Sequence, residues 1–141
     1  MTYGYTRNAS AMYQQQSARG RVEDADPHQL TMLLLDGAIE RINQARGCLA
    51  HRDLAGKATN VSKAMAIVGE LRQSLDHQTG GELSQRLGTL YDYISRRLLH
   101  AQAHNNDAAL EESGRLLAPI RDSWRDIRET YLSARQTVAS R

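Results

Sequence analysis

A chain of 141 residues, 40% hydrophobic and 24% charged, has the length for one folded domain around a single core. Its 18 basic and 16 acidic residues leave a formal net charge of +2, and no run of Lys and Arg concentrates positive charge, which argues against nucleic acid as a partner. The single cysteine, Cys48, excludes an internal disulfide, and no segment has the apolar length of a signal-peptide core or a membrane span, so a cytoplasmic protein without membrane insertion is expected.

Residues 1–25 are rich in Gln, Ser, Gly, Tyr and Arg and read as an N-terminal arm, partly mobile or weakly helical. Met12 and Tyr13, with Ala9, are its main apolar cluster and its candidates for docking into a groove on the domain. The folded part is expected over 26–133. Its first helix starts at Asp26-Pro27-His28-Gln29, where Asp26 caps, Pro27 takes the first helical position and Gln29 stands three residues after the cap. This helix is predicted to run to about Ala50, with Leu35, Ala38, Ile42, Ala45 and Leu49 on one stripe. Leu30, Leu33, Leu34 and Ile39 widen its apolar surface beyond what one neighbour needs, so part of the helix is either deeply buried or left for a partner. Gly37 inside it costs about 1 kcal/mol relative to Ala, which suggests close approach of another backbone.

From Asp53 to Asp76, Leu54, Ala58, Val61, Met65, Val68, Leu71 and Leu75 recur at spacings of three and four and predict the next helix. Thr79 with Glu82 three residues later reads as a capping box for a helix bearing Leu83, Leu87, Leu90, Ile94, Leu98 and Ala101. Tyr91 and Tyr93 lie two positions apart on it, so one serves the core and the other looks outward; spacing alone does not say which. After His104-Asn105-Asn106-Asp107, a last helix carries Leu110, Ser113, Leu117, Ile120, Trp124, Ile127 and Tyr131 to near Leu132, kinked at Pro119, and 134–141 reads as a fraying tail. Short links force neighbouring helices antiparallel. The fold class is therefore all-α, an antiparallel four-helix bundle with a short N-terminal helix or arm and with Leu71, Val68, Leu87, Ile94, Leu117 and Trp124 inside.

Chemistry finds little support. No glutamate is followed three residues later by histidine, as di-iron bundles require. His100 and His104 share a helix face near its end without an intervening Glu base and read as exposed polar residues; Cys48 lacks a patterned base. No phosphate loop, nucleophile elbow or paired-carboxylate pattern stands out, so no enzyme, metal or cofactor is expected.

Several short motifs, in order, carry a family resemblance: Asp26-Pro27-His28-Gln29-Leu30, Leu33 to Ala38, Leu71 to Asp76, Gly80-Gly81-Glu82-Leu83, Leu90-Tyr91-Asp92-Tyr93-Ile94, Arg96-Arg97-Leu98 and Arg121-Asp122-Ser123-Trp124. From Met12 to Ile127 the chain resembles the flagellin-specific export chaperones of bacterial flagella, the FliS family. It departs from the family pattern at Leu35, where an aromatic residue is usual, at Asp26, where Ser is frequent, at Pro119, and at Ser10, where an apolar residue often precedes the arm tyrosine.

The resemblance implies a cytoplasmic bundle that holds the disordered C-terminal segment of flagellin, prevents premature polymerisation and delivers it to the flagellar type III export gate. It implies Tyr13 as the arm tyrosine associated with the client groove and the gate. The candidate flagellin-binding residues are Met12, Tyr13, Leu30, Leu33, Leu34 and Ile67, with Tyr91 or Tyr93 at the edge. The expected state is a monomer or weak homodimer. The alternative reading is a helical-bundle adaptor or signalling module that uses the same apolar stripe for another folded protein.

Overall fold

The structure, a computed structural model, describes residues 26–75 and 81–139. They form four helices: α1 (Pro27–Ala50), α2 (Leu54–Leu75), α3 (Glu82–His104) and α4 (Asp107–Ala139). α1 packs on α2 and α4, and α3 packs on the same two, so the helices stand at the corners of a square with α1 and α3 on one diagonal. Cross-helix bonds fix the directions. Arg72 pairs with Asp92 and Lys57 with Gln102, so α2 and α3 run oppositely. Arg46 with Asp107, Asp36 with Arg121 and Asp26 with Arg128 do the same for α1 and α4.

Helix ends follow local chemistry. Asp26 is the N-cap of α1: the Gln29 backbone N–H donates to its Oδ1 at 2.8 Å, and Pro27 fills the first turn where its missing donor costs nothing. α2 begins the same way, with the Gly56 N–H donating to Asp53 Oδ1 at 2.9 Å. The turn from α1 to α2 needs Arg52 at φ 60, and α3 ends on Asn105 at φ 52, a left-handed position that Asn tolerates better than most residues. α3 corrects the expected capping box. Its N-cap is Gly81, with φ 131 and no side-chain cap bond, so Glu82 stands at the first helical position and bonds Arg86 instead. Thr79 lies outside the described residues.

The core is a column of small and branched side chains. Leu35, Ala38, Ile42 and Ala45 of α1 meet Val61, Ala64, Val68 and Leu71 of α2, with Ile94, Leu98 and Ala101 of α3 and Leu110 and Leu117 of α4. Each buried Leu or Ile contributes roughly 1.5–3 kcal/mol, and the alanines let the helix axes approach. Ile94, Leu71, Val68 and Leu117 are buried as the spacing predicts, whereas Leu87 and Trp124 are half-buried and pack on the core from its edge. Leu83 has the right helical phase but the wrong depth. It is 70% exposed in the first turn of α3. Leu54 is likewise exposed at the start of α2, and Ile127 is exposed within α4.

The last helix is longer than its pattern suggests. α4 continues through Pro119, whose ring is exposed, and on through Ala134 to Ala139, where a fraying tail is expected from sequence. At 1.5 Å per residue its 33 residues span about 50 Å. Because Asp26 meets Arg128, the turns beyond Arg128 extend past the start of α1.

Candidate partner-binding site

The seam between α1 and α2 holds part of the apolar surface that the core does not consume; Leu83 and Leu99 on α3 and Ile127 and Leu132 on α4 are exposed elsewhere. The register of the seam is set by Arg41, whose Nη1 donates to Asn60 Oδ1 at 3.4 Å. Seven residues back along α1 is Leu34, and seven forward along α2 is Ile67; with equal rise in antiparallel helices the two face each other across the seam. Both are half-buried and pack against the core. Leu30, one turn before Leu34, is 39% exposed, and Leu33 is half-buried on the outer flank of α1. Gly37 is buried in the same stretch. Polar groups close the seam above it, where Arg41 also bonds Gln44 and Gln44 bonds Glu40.

The two tyrosines separate, because two residues turn a helix by about 200°. Tyr91 is 1% exposed, and burial pushes its hydroxyl up to about 12. It is a core residue that leaves no side-chain surface for a partner, so it leaves the set of candidate contacts. Tyr93 looks outward but on the seam between α3 and α4, diagonally opposite the leucines: its hydroxyl donates to Glu112 Oε2 at 2.9 Å, and Arg97 Nε donates to Glu112 Oε1 at 2.7 Å. The Tyr93 hydroxyl and Arg97 hold the Glu112 carboxyl below its usual range, and that carboxylate raises Tyr93. The structure thus brings Leu30, Leu34 and Ile67 to one seam with Leu33 on its flank, and places Tyr93 elsewhere. Met12 and Tyr13 lie outside the described residues.

Other features do not form a reaction centre. His100 and His104 lie with ring centroids 4.5 Å apart, tilted at 41°, and no group of three or more possible metal ligands forms among the described residues. A notch of about 190 Å³ between α1 and α4 is lined by Ile39, Leu110 and Gly114, with Arg46 and Arg115 at its side. Both arginines are already answered, by Asp107 and Glu111. The fold moves Asp107 down through its bond from Arg46 and raises Arg46 in return, so both are driven away from neutral titration.

Two features escape the sequence patterns. Lys57 lies on the core stripe of α2, 4% exposed, and its Nζ donates to the Gln102 carbonyl oxygen at 3.0 Å. His28 contacts Trp124 with ring centroids 4.4 Å apart and tilted at 56°, beside the Asp26 and Arg128 pair. A seven-residue step from His28 to Leu35 puts both on one side of α1, the only trace of this contact in the sequence.

The described residues define an all-α antiparallel four-helix bundle that leaves apolar side chains exposed outside its core. The family model for the flagellar protein FliS matches residues 9–131. The chain is 39% identical over 120 residues to the flagellar secretion chaperone FliSB of Pseudomonas aeruginosa, covering 85% of this chain and 95% of that one. It is 40% identical over 124 residues to the flagellar secretion chaperone FliS of Salmonella typhimurium, covering 87% and 92%. A crystal structure of a flagellar chaperone from bacteria shares the fold at a TM-score of 0.70 and 19% identity, over 89% of this chain and 98% of that one. The chain belongs to the FliS family.

No described helix is long and apolar enough to cross a membrane.

Proposed function

We propose that this protein is a non-catalytic flagellar secretion chaperone that binds the disordered C-terminal segment of flagellin in the cytoplasm, keeps it from polymerising early and delivers it to the export gate. The observation that carries this reading is the α1/α2 seam, where Leu30 and Leu33 keep accessible surface although the bundle's core is already complete. An amphipathic client helix laid along the seam buries there the apolar face it would otherwise present to other flagellin copies. Ordering a disordered client is costly, so the interface must extend beyond these two turns. The arm fits as a lid. It precedes Asp26, about one turn before Leu30, so the chain that carries Met12 and Tyr13 enters the bundle near the seam.

Calorimetry with a flagellin C-terminal peptide at one salt concentration tests the proposal. Leu33→Asp is expected to weaken binding at least about tenfold, because the client would desolvate a carboxylate without a partner. Deleting the residues before Gln16 is expected to change affinity or off-rate through loss of the lid, with bundle stability nearly unchanged. Equal affinities in all three proteins, with folding intact, would place the site elsewhere; absence of peptide binding by the wild type would favour a folded protein as partner.

A further inference from the structure

We propose that His28, together with Trp124, Asp26 and Arg128, forms an acid-released latch that clamps the far part of α4 to the start of α1. The His28 ring is wedged against Trp124, and both its nitrogens are buried with no hydrogen-bond partner among the described residues. One turn beyond Trp124, Arg128 reaches across to the carboxylate that caps α1, Asp26. Ring contact and ion pair together tie the two helices at the point where α4 begins to overhang α1.

This arrangement accepts only a neutral imidazole. A protonated ring would carry two N–H donors with nothing to accept them, out of water and beside the Arg128 guanidinium. It would also sit in the first turn of α1, where the helix dipole is positive. The Asp26 carboxylate pulls the other way, but it already accepts from Arg128 and from the Gln29 N–H. Among the described residues Asp26 and Arg128 are the charged groups bearing on the ring; the next ion pair, Asp36 with Arg121, lies about 12 Å further along α1. Burial first, then Arg128, holds His28 below its ordinary 6.5.

The sign follows. Once His28 leaves its site it binds a proton near pH 6.5, whereas the latched ring does so only at lower pH, so closure weakens as pH falls through that interval. Asp26 is held below its ordinary 3.8, mainly by Arg128, so its pairing persists until more acid conditions. The core residues include no carboxylate or imidazole among those described, and they stay packed while the latch opens. Acid therefore opens the ring contact of the latch and uncovers Trp124, while the Asp26–Arg128 pair and the bundle persist.

Trp124 is the only tryptophan in the chain, which makes the latch directly visible. In the full chain, lowering pH from about 8 to about 4.5 is expected to shift Trp124 emission to longer wavelength with a midpoint below 6.5, while far-ultraviolet circular dichroism stays constant. His28→Phe, which keeps a ring against Trp124 but cannot ionise, is expected to abolish the shift. Should that variant fail to fold, the wild-type ring proton of His28 followed by NMR is expected to titrate below 6.5. A flat wild-type emission, a transition that survives in folded His28→Phe, or a His28 ring that titrates at or above 6.5 would each overturn the latch.

Discussion

Replacing Leu98 with Ala is expected to lower the unfolding free energy by about 2–5 kcal/mol, whereas Leu83→Ala is expected to change it by less than about 0.5 kcal/mol. Both leucines belong to one spacing pattern on α3, and nothing in the sequence ranks them. Leu98 is fully buried opposite α2 and α4, so truncation leaves a cavity that close packing does not readily refill. Leu83 is already wet. Denaturant titration of both variants checks the contrast: the Leu98 variant should show a lower midpoint at unchanged slope, and equal losses at the two sites would contradict the assigned depth of α3.

A second large effect is expected at Lys57. Its stem lies in the core of α2 while its ammonium bonds the Gln102 carbonyl oxygen on α3. Lys57→Glu places a carboxylate against that oxygen with no cation to answer it, and is expected to cost about 3–5 kcal/mol, as for an orphaned buried charge. Lys57→Met keeps the stem and removes the charge together with its desolvation, so its loss should not exceed the roughly 1.5–3 kcal/mol of one charged hydrogen bond. Thermal unfolding of the two variants separates them. A Glu variant as stable as the Met variant would mean that the ammonium does not hold the α2/α3 contact.

Much of this architecture is legible from residue spacing. Asp26-Pro27 marks the start of α1 because cap and ring chemistry are local, and the recurring apolar positions place Ile94, Val68, Leu71 and Leu117 inside because a helix repeats its faces whatever surrounds it. Depth is not local. Leu83 and Leu54, each in the first turn of its helix, obey the spacing and still face water, because burial also depends on what packs against each turn. The capping box at Thr79 fails for a local reason: the chain enters α3 through Gly81 at positive φ, which puts the N-cap two residues beyond the expected one. Lys57 is hidden because its charge argues for the surface while its phase argues for the core, and only a facing carbonyl resolves the conflict.

The candidate site divides along the same line. Surplus apolar residues on the first helix suggest a partner surface, and the Arg41–Asn60 register sets Leu34 opposite Ile67 on one seam. Which tyrosine joins them could not be read from the chain, since two positions on one helix differ only in direction and the neighbours decide what each direction means. The bundle's square arrangement sends Tyr91 inward and Tyr93 to the opposite seam.

The central claim, that the α1/α2 seam receives flagellin, is tested most directly by NMR of the Leu and Ile methyl groups in the full chain as the flagellin C-terminal segment is added. Perturbations centred on Leu30, Leu33, Leu34 and Ile67 are the expected result. Saturable binding with those methyls unmoved and changes confined to Leu90, Leu99 and Leu116 on α3 and α4 would contradict it.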